Sequence, residues 1–163
     1  MMGAFAFEQV VCGSGDTMVV RGISGRVDPG RVLGVLGRNG VGKTTLMRAL
    51  SGFLPLAGGR ATWQGRDLAG VESHRRLGLG IAYALQENVV FGELSVADNL
   101  WLHLPDRNPA RYADAFAKFP LLVKRLTQRS GNLSGGERKL LSFARSLGLA
   151  APMTLIGAGA LGT

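Results

Sequence analysis

Val32-Leu33-Gly34-Val35-Leu36-Gly37-Arg38-Asn39-Gly40-Val41-Gly42-Lys43-Thr44-Thr45 is the stretch that decides the fold. The apolar run Val32 to Leu36 predicts a strand, and the eight residues Gly37 to Thr44 spell a phosphate-binding loop after it. In such a loop the backbone N–H groups of Gly37, Arg38, Asn39, Gly40, Val41 and Gly42 converge on phosphate oxygens, helped by the positive end of the following helix. Lys43 is expected to reach the β and γ phosphates of a nucleotide, and the Thr44 hydroxyl to sit on Mg²⁺. Thr45 lines the same rim. The helix is expected to start near Gly42, to carry Leu46, Leu50 and Leu54 on one side, and to stop at Gly52. The chain holds 25 glycines, so a chance glycine-lysine cluster is the bland alternative. The order strand, loop, helix argues against it.

Composition sets the frame around this motif. At 163 residues and 46% hydrophobic content the chain is long enough for a real core and reads as globular. Its one cysteine, Cys12, leaves no internal disulfide, and no basic-then-apolar leader precedes Phe5, which together suggest a reducing cytoplasmic setting. The uncharged stretch from Ser146 to Thr163 is broken by Pro152 and several glycines, so it reads as a buried strand with its turns and not as a membrane span. The formal charge of +8 admits nucleic acid, an anionic surface or a nucleotide polyphosphate as a partner. The arginines are scattered and no aromatic-interleaved basic stripe accompanies them, which argues against nucleic acid. The densest basic segment, Lys124 to Arg145, has Glu137 as its only acid; it faces a partner or lipid headgroups, or is simply a solvated face.

Working outward, residues Phe5 to Val11, Met18 to Val20 and a short run near Ile23 read as strands, with Asp28-Pro29-Gly30 as a turn before the loop strand. Arg60 to Trp63 with Gln64-Gly65 looks like a hairpin edge, Val71 to Leu77 like one or two helical turns, and Ile81 to Leu85 like a compact strand ending at Gln86. From Ser95 to Arg129 the pattern turns helical. Ser95 with Asp98 caps one helix, Asn108-Pro109 opens another, and Pro120 closes it. The expectation is a single domain over 1–163 with a helical subdomain over about 95–145.

Leu133-Ser134-Gly135-Gly136-Glu137-Arg138 heads a further helix with an apolar stripe through Leu140, Leu141, Ala144 and Leu147, and Ser134 with Glu137 forms a capping box. Taken with the phosphate loop, and with Gln86 closing a strand between them, this order resembles the ATP-binding domain of ABC transporters. The resemblance covers nearly the whole chain. It implies an α/β fold, a P-loop NTPase core with N-terminal antiparallel strands and a helical subdomain, incomplete at the C-terminal end. It also implies that Ser134, Gly135 and Gly136 contact the γ-phosphate of ATP held by a second ATP-binding subunit. Gln86 corresponds to the glutamine that touches the metal, so Thr44 and Gln86 are the implied Mg²⁺ contacts. ATP and Mg²⁺ are the implied cofactors, and transmembrane permease subunits the implied partners. The implied setting is peripheral, on the cytoplasmic face of the inner membrane. His74-Arg75-Arg76, Leu77 to Ile81 and Val90-Phe91 resemble the subunits of branched-chain amino acid or urea-type importers.

The chain departs from that pattern in three places. After Met153 to Ile156, a strand that should deliver an aspartate for the metal and a glutamate to activate water, Gly157 and Ala158 stand instead, so no catalytic residue is assigned. The chain reaches Thr163 before the family's switch histidine and remaining strands, so it reads as C-terminally truncated with a gap in the middle of its sheet. The position of the adenine-stacking aromatic falls at Ser14, and Phe5 and Phe7 alternate like core residues. Three readings follow: an importer subunit impaired in hydrolysis, a catalytically silent nucleotide-binding partner, or a truncated product without function.

Overall fold

A computed structural model of the chain describes residues 3–14, 17–84, 90–102, 104 and 106–157. The chain divides into two compact units, Met1–Ile81 and Ala82–Thr163.

Alternating apolar residues build the first unit around β1 (Phe5–Ser14), which pairs antiparallel with β2 (Thr17–Val27) on one side and β3 (Gly58–Trp63) on the other. The short β4 (Arg66–Asp67) completes the order β2-β1-β3-β4. Phe5, Phe7, Val10 and Cys12 are all buried, a sequence that strict alternation forbids. A bulge resolves it: the register shifts between Phe7 and Val10, and Gln9 adopts a φ of 48°. One inserted residue turns the second half of the strand back onto the core face. The Gln64-Gly65 turn has φ of 52° and 79°, the left-handed pair that a two-residue hairpin needs, and Trp63 faces Arg66 across it.

Helix α1 (Lys43–Leu50) packs on β1 and β2 and buries Leu46, Ala49 and Leu50. It ends before Leu54, at Ser51, and Gly52 follows with a φ of 83°. Helix α2 (Ser73–Gly78) carries Arg76, which is 5% exposed and donates to the carbonyls of Leu50, Leu68 and Val71.

The predicted strand Val32 to Leu36 does not form. These residues belong to neither sheet, and Val32 and Leu36 are 98% and 93% exposed. A strand is stable only when a neighbour takes up its N–H and C=O groups and covers its faces, and no described strand pairs with this one. The Asp28 turn before it does form, with Arg31 N–H donating to the Asp28 carbonyl.

In the second unit β5 (Ile81–Ala84), which starts at the boundary, pairs with β6 (Met153–Ile156), the strand expected there. Between them run α3 (Val96–Trp101), α4 (Ala113–Lys118), α5 (Pro120–Lys124) and α6 (Gly135–Gly148), with 3-10 turns at Pro109–Tyr112 and Ser130–Asn132. Val96, Leu100, Tyr112, Ala115, Leu122, Leu133, Leu141 and Ala144 form the core. Asn99, fully buried, ties the 3-10 turn to α3: its amide donates to Ser130 Oγ and to the Phe91 carbonyl and accepts from Phe91 N–H.

Two readings of this region need correction. Pro120 opens α5 as its first residue, where a missing N–H costs nothing, as well as following the end of α4. Leu147 is 37% exposed, and the last turn of α6 instead buries Ser146 and Gly148. Gly148 is there because the Tyr112 ring occupies the space: a Cβ would lie 2.1 Å from its Cζ.

Candidate nucleotide site

Glycine backbone freedom shapes the phosphate loop. Gly40 and Gly42 have φ of 84° and 97°, conformations that L side chains rarely adopt, and they curl residues 37–42 into a turn ahead of α1. Gly42 caps α1 and its carbonyl accepts from Leu46 N–H at 2.8 Å. A side chain there would also collide with Val19 of β2. Residues Gly37 to Val41 are exposed, with the Val41 N–H donating to the Arg38 carbonyl at 3.5 Å inside the turn. Cys12 of β1 lies under the first turn, its Sγ 3.9 Å from the Thr45 carbonyl.

Lys43 is folded back over this loop. Its Nζ donates to the Gly37 carbonyl at 2.7 Å and to the Arg38 carbonyl at 2.8 Å, closing the loop into a ring with the ammonium at its mouth. A cation held there by two carbonyls keeps one donor for an anion. Thr44 is exposed at the helix start and Thr45 half-buried beside it.

The sites expected in the second unit divide. Ser134 caps α6: its Oγ accepts from Glu137 N–H at 3.3 Å, and Glu137 Oε2 accepts from Ser134 N–H at 2.7 Å. Gly135 and Gly136 are exposed, with nothing within 4 Å of either Cβ direction, so the N-terminus of a 14-residue helix faces solvent. Hydrogen bonds from Ser134 N–H and from its hydroxyl hold the Glu137 carboxyl below the usual range, with Arg125 adding to the effect. Arg125 Nη2 lies 3.2 Å from Glu137 Oε1. The sequence pointed to Glu137 as a cap but not to Arg125, whose side chain comes from the end of α5.

Gly157 is buried, and its N–H donates to the Ala84 carbonyl at 3.0 Å. It continues the pairing of β6 with β5, and at the position where a metal-binding carboxylate was sought there is only backbone. Of the two Mg²⁺ contacts expected from the sequence, Thr44 and Gln86, Thr44 lies among the described residues; no three described His, Cys, Asp or Glu side chains cluster to hold a metal. Such a donor set fits a metal carried chiefly by phosphate oxygens, and not one held by the protein alone. Gln86, Ala158 and the Ser14 side chain lie outside the described residues. Phe5 and Phe7 are 1% and 4% exposed, in the core as expected, and offer no face to a base. No described helix is long and apolar enough to cross a membrane.

Residues 20–156 match the family described as ABC transporter. The lipopolysaccharide export system ATP-binding protein LptB of Acidithiobacillus ferridurans is 34% identical over 145 residues, 85% of this chain and 60% of that protein. The high-affinity branched-chain amino acid transport ATP-binding protein BraG of Pseudomonas aeruginosa is 30% identical over 146 residues, 87% of this chain and 63% of that protein. The chain thus spans less than two thirds of the length of these relatives. An ATP-binding cassette of an ABC transporter, solved in its ADP conformation, superposes with a TM-score of 0.77 at 25% identity, over 94% of this chain and 68% of that one.

Proposed function

The chain belongs to the ABC transporter family, and from that premise we propose that it is a nucleotide-binding subunit that holds Mg·ATP through the loop Gly37 to Thr45 and hydrolyses it poorly or not at all. The observation that carries the binding half is Lys43, its ammonium stationed over an exposed glycine loop by the Gly37 and Arg38 carbonyls. The loop supplies dipoles, Lys43 a charge and Thr44 a metal contact, the division of labour that phosphate binding needs. Gln86 is proposed as the second metal contact on the family resemblance alone.

The hydrolysis half rests on Gly157 and Ala158. Neither side chain accepts a proton or binds a metal, and losing a positioned general base costs about 10² to 10⁴ in rate. In this reading the chain contributes most through Ser134, Gly135 and Gly136, which complete the site of a second ATP-binding subunit, with residues of about 95–145 as the helical subdomain that carries them. Transmembrane permease subunits are the further partners, and the inner face of the membrane the setting. A branched-chain amino acid or urea-type importer is the proposed context, supported by likeness to proteins such as BraG; the comparable likeness to LptB comes from an export system.

Calorimetry with Mg·ATP tests the reading. Saturable binding that is lost in Lys43→Ala supports it, and heats that are equal in the two proteins sink it.

A further inference from the structure

The carboxylate of Glu137 stands at the N-terminus of α6, where the proposed function brings a phosphate. A negative charge in the first turn stabilises the helix, but it also competes with any anion for the same N–H groups and the same field. Two contacts decide how it behaves here. One carboxylate oxygen accepts from Ser134 N–H at 2.7 Å, the N–H of the capping residue that precedes Gly135 and Gly136. The other is held by Arg125 Nη2 at 3.2 Å, while Arg125 Nη1 donates to Gln128 Oε1 at 3.0 Å. The pair is shielded, with side-chain exposure of 36% for Arg125 and 18% for Glu137, so solvent screens it less than a fully exposed pair.

We infer that Arg125 is a positioning residue for the Ser134 loop: through Glu137 it draws the carboxylate aside and cancels its charge, leaving the N–H groups of Gly135 and Gly136 for a phosphoryl group. This rests on the reading of Ser134, Gly135 and Gly136 given above and adds a residue to it. Three elements converge in the arrangement. The end of α5 supplies the guanidinium, the loop through Gln128 fixes its plane, and the first turn of α6 supplies the carboxylate and the free N–H groups. An arginine suits the task because its planar fork serves Glu137 and Gln128 together, which an ammonium on a flexible stem does less well.

The charge balance makes an ordered set of outcomes. Arg125→Gln leaves the carboxylate uncompensated and weakens anion binding at α6. Glu137→Gln keeps an oxygen for Ser134 N–H, leaves Arg125 positive and strengthens it. The double variant is neutral again and returns to the wild-type value. A charge in the first turn of a helix changes such affinities by about two- to fivefold.

The experiment is a titration of the full chain with inorganic phosphate at constant ionic strength, read by the amide resonances of Gly135 and Gly136. The expected order of dissociation constants is Arg125→Gln above wild type, the double variant equal to wild type, and Glu137→Gln below it. No phosphate-dependent shift at Gly135 and Gly136 in wild type overturns the inference. So does a dissociation constant unchanged by Glu137→Gln, a comparison that stands even where Arg125→Gln fails to fold. A purely structural role for Arg125 predicts instead that the double variant binds phosphate as tightly as Glu137→Gln does, and that result overturns the inference. Failure of the nucleotide reading is recognised separately, by the absence of Lys43-dependent ATP binding, because this titration is read at Gly135 and Gly136 and not at the loop of Lys43.

Discussion

Arg76 Nη1 donates to the Leu50 carbonyl at 2.6 Å, tying α2 to the C-terminal end of the helix that begins at Lys43. The guanidinium is buried, burial lowers its pKa, and its remaining bonds also go to carbonyls, those of Val71 and Leu68. Gly52 makes room for it, since a Cβ there would lie 2.6 Å from its Nε. Replacing Arg76 by methionine keeps the bulk and strips three carbonyls of a partner. We expect a loss of about 1 to 3 kcal/mol in urea unfolding. Arg76→Lys should recover only part of it, because one ammonium does not reach all three carbonyls. A midpoint unchanged by the methionine variant would show that the three bonds contribute nothing net.

Tyr112 gives the chain a pH-dependent stability. Burial pushes its pKa up to about 12 from an ordinary 10.0, against a smaller pull downwards from Arg145 and Arg111. Its hydroxyl donates to the Leu100 carbonyl. The folded state therefore keeps the proton that the unfolded chain releases first. The stabilisation is fully present below pH 10 and is lost as pH rises towards 12, on the order of 2 kcal/mol in all. Comparing wild type with Tyr112→Phe by urea unfolding at several pH values isolates this from the titration of lysines. The phenylalanine variant should show a shallower decline above pH 10, and parallel curves would refute the assignment.

Local chemistry was legible in the sequence and pairing over distance was not. The loop Gly37 to Thr44, the Ser134 cap and the Gln64-Gly65 turn are each set by a few consecutive residues, and each forms where the spacing places it. Asn99 carries no signal in the sequence, because its partner Ser130 and its bonds to Phe91 come from other segments. Arg125 was read as part of a basic run for the same reason: only the fold brings it to Glu137. The apolar period of α6 pointed to Leu147, whereas the ring of Tyr112 selects the side-chain-free Gly148 as its buried contact. Val32 to Leu36 reads as a strand by composition, yet strand formation belongs to pairs of segments and not to one.

Turnover should be near background. Gly157 contributes only a backbone N–H, which is already given to Ala84, and Ala158 has no group that accepts a proton. Phosphate release under saturating Mg·ATP is expected to match that of Lys43→Ala, about 10² to 10⁴ below a cassette with a positioned base. Release well above that variant would mean that another residue of the chain activates water.

The exposed run Val32 to Leu36 should make the isolated chain self-associate. Val32, Leu33 and Leu36 are 98%, 44% and 93% exposed, and the backbone between Arg31 and Arg38 joins no ladder. Antiparallel pairing of two copies about Gly34 would set Val32 against Leu36 and Leu33 against Val35, matching apolar residues on both faces. Unpaired apolar segments of this kind are templates for edge-to-edge association, and one inward charge is enough to oppose it. Light scattering on a concentration series should show growing mass for wild type. The same series on Val32→Lys, a residue outside the loop itself, should show markedly less. The variant must also keep the far-ultraviolet circular dichroism of wild type, since the side chain it replaces contacts little in the folded chain. A wild-type sample that stays monomeric across the series, or a variant that associates equally, places the sticky surface elsewhere or removes it altogether.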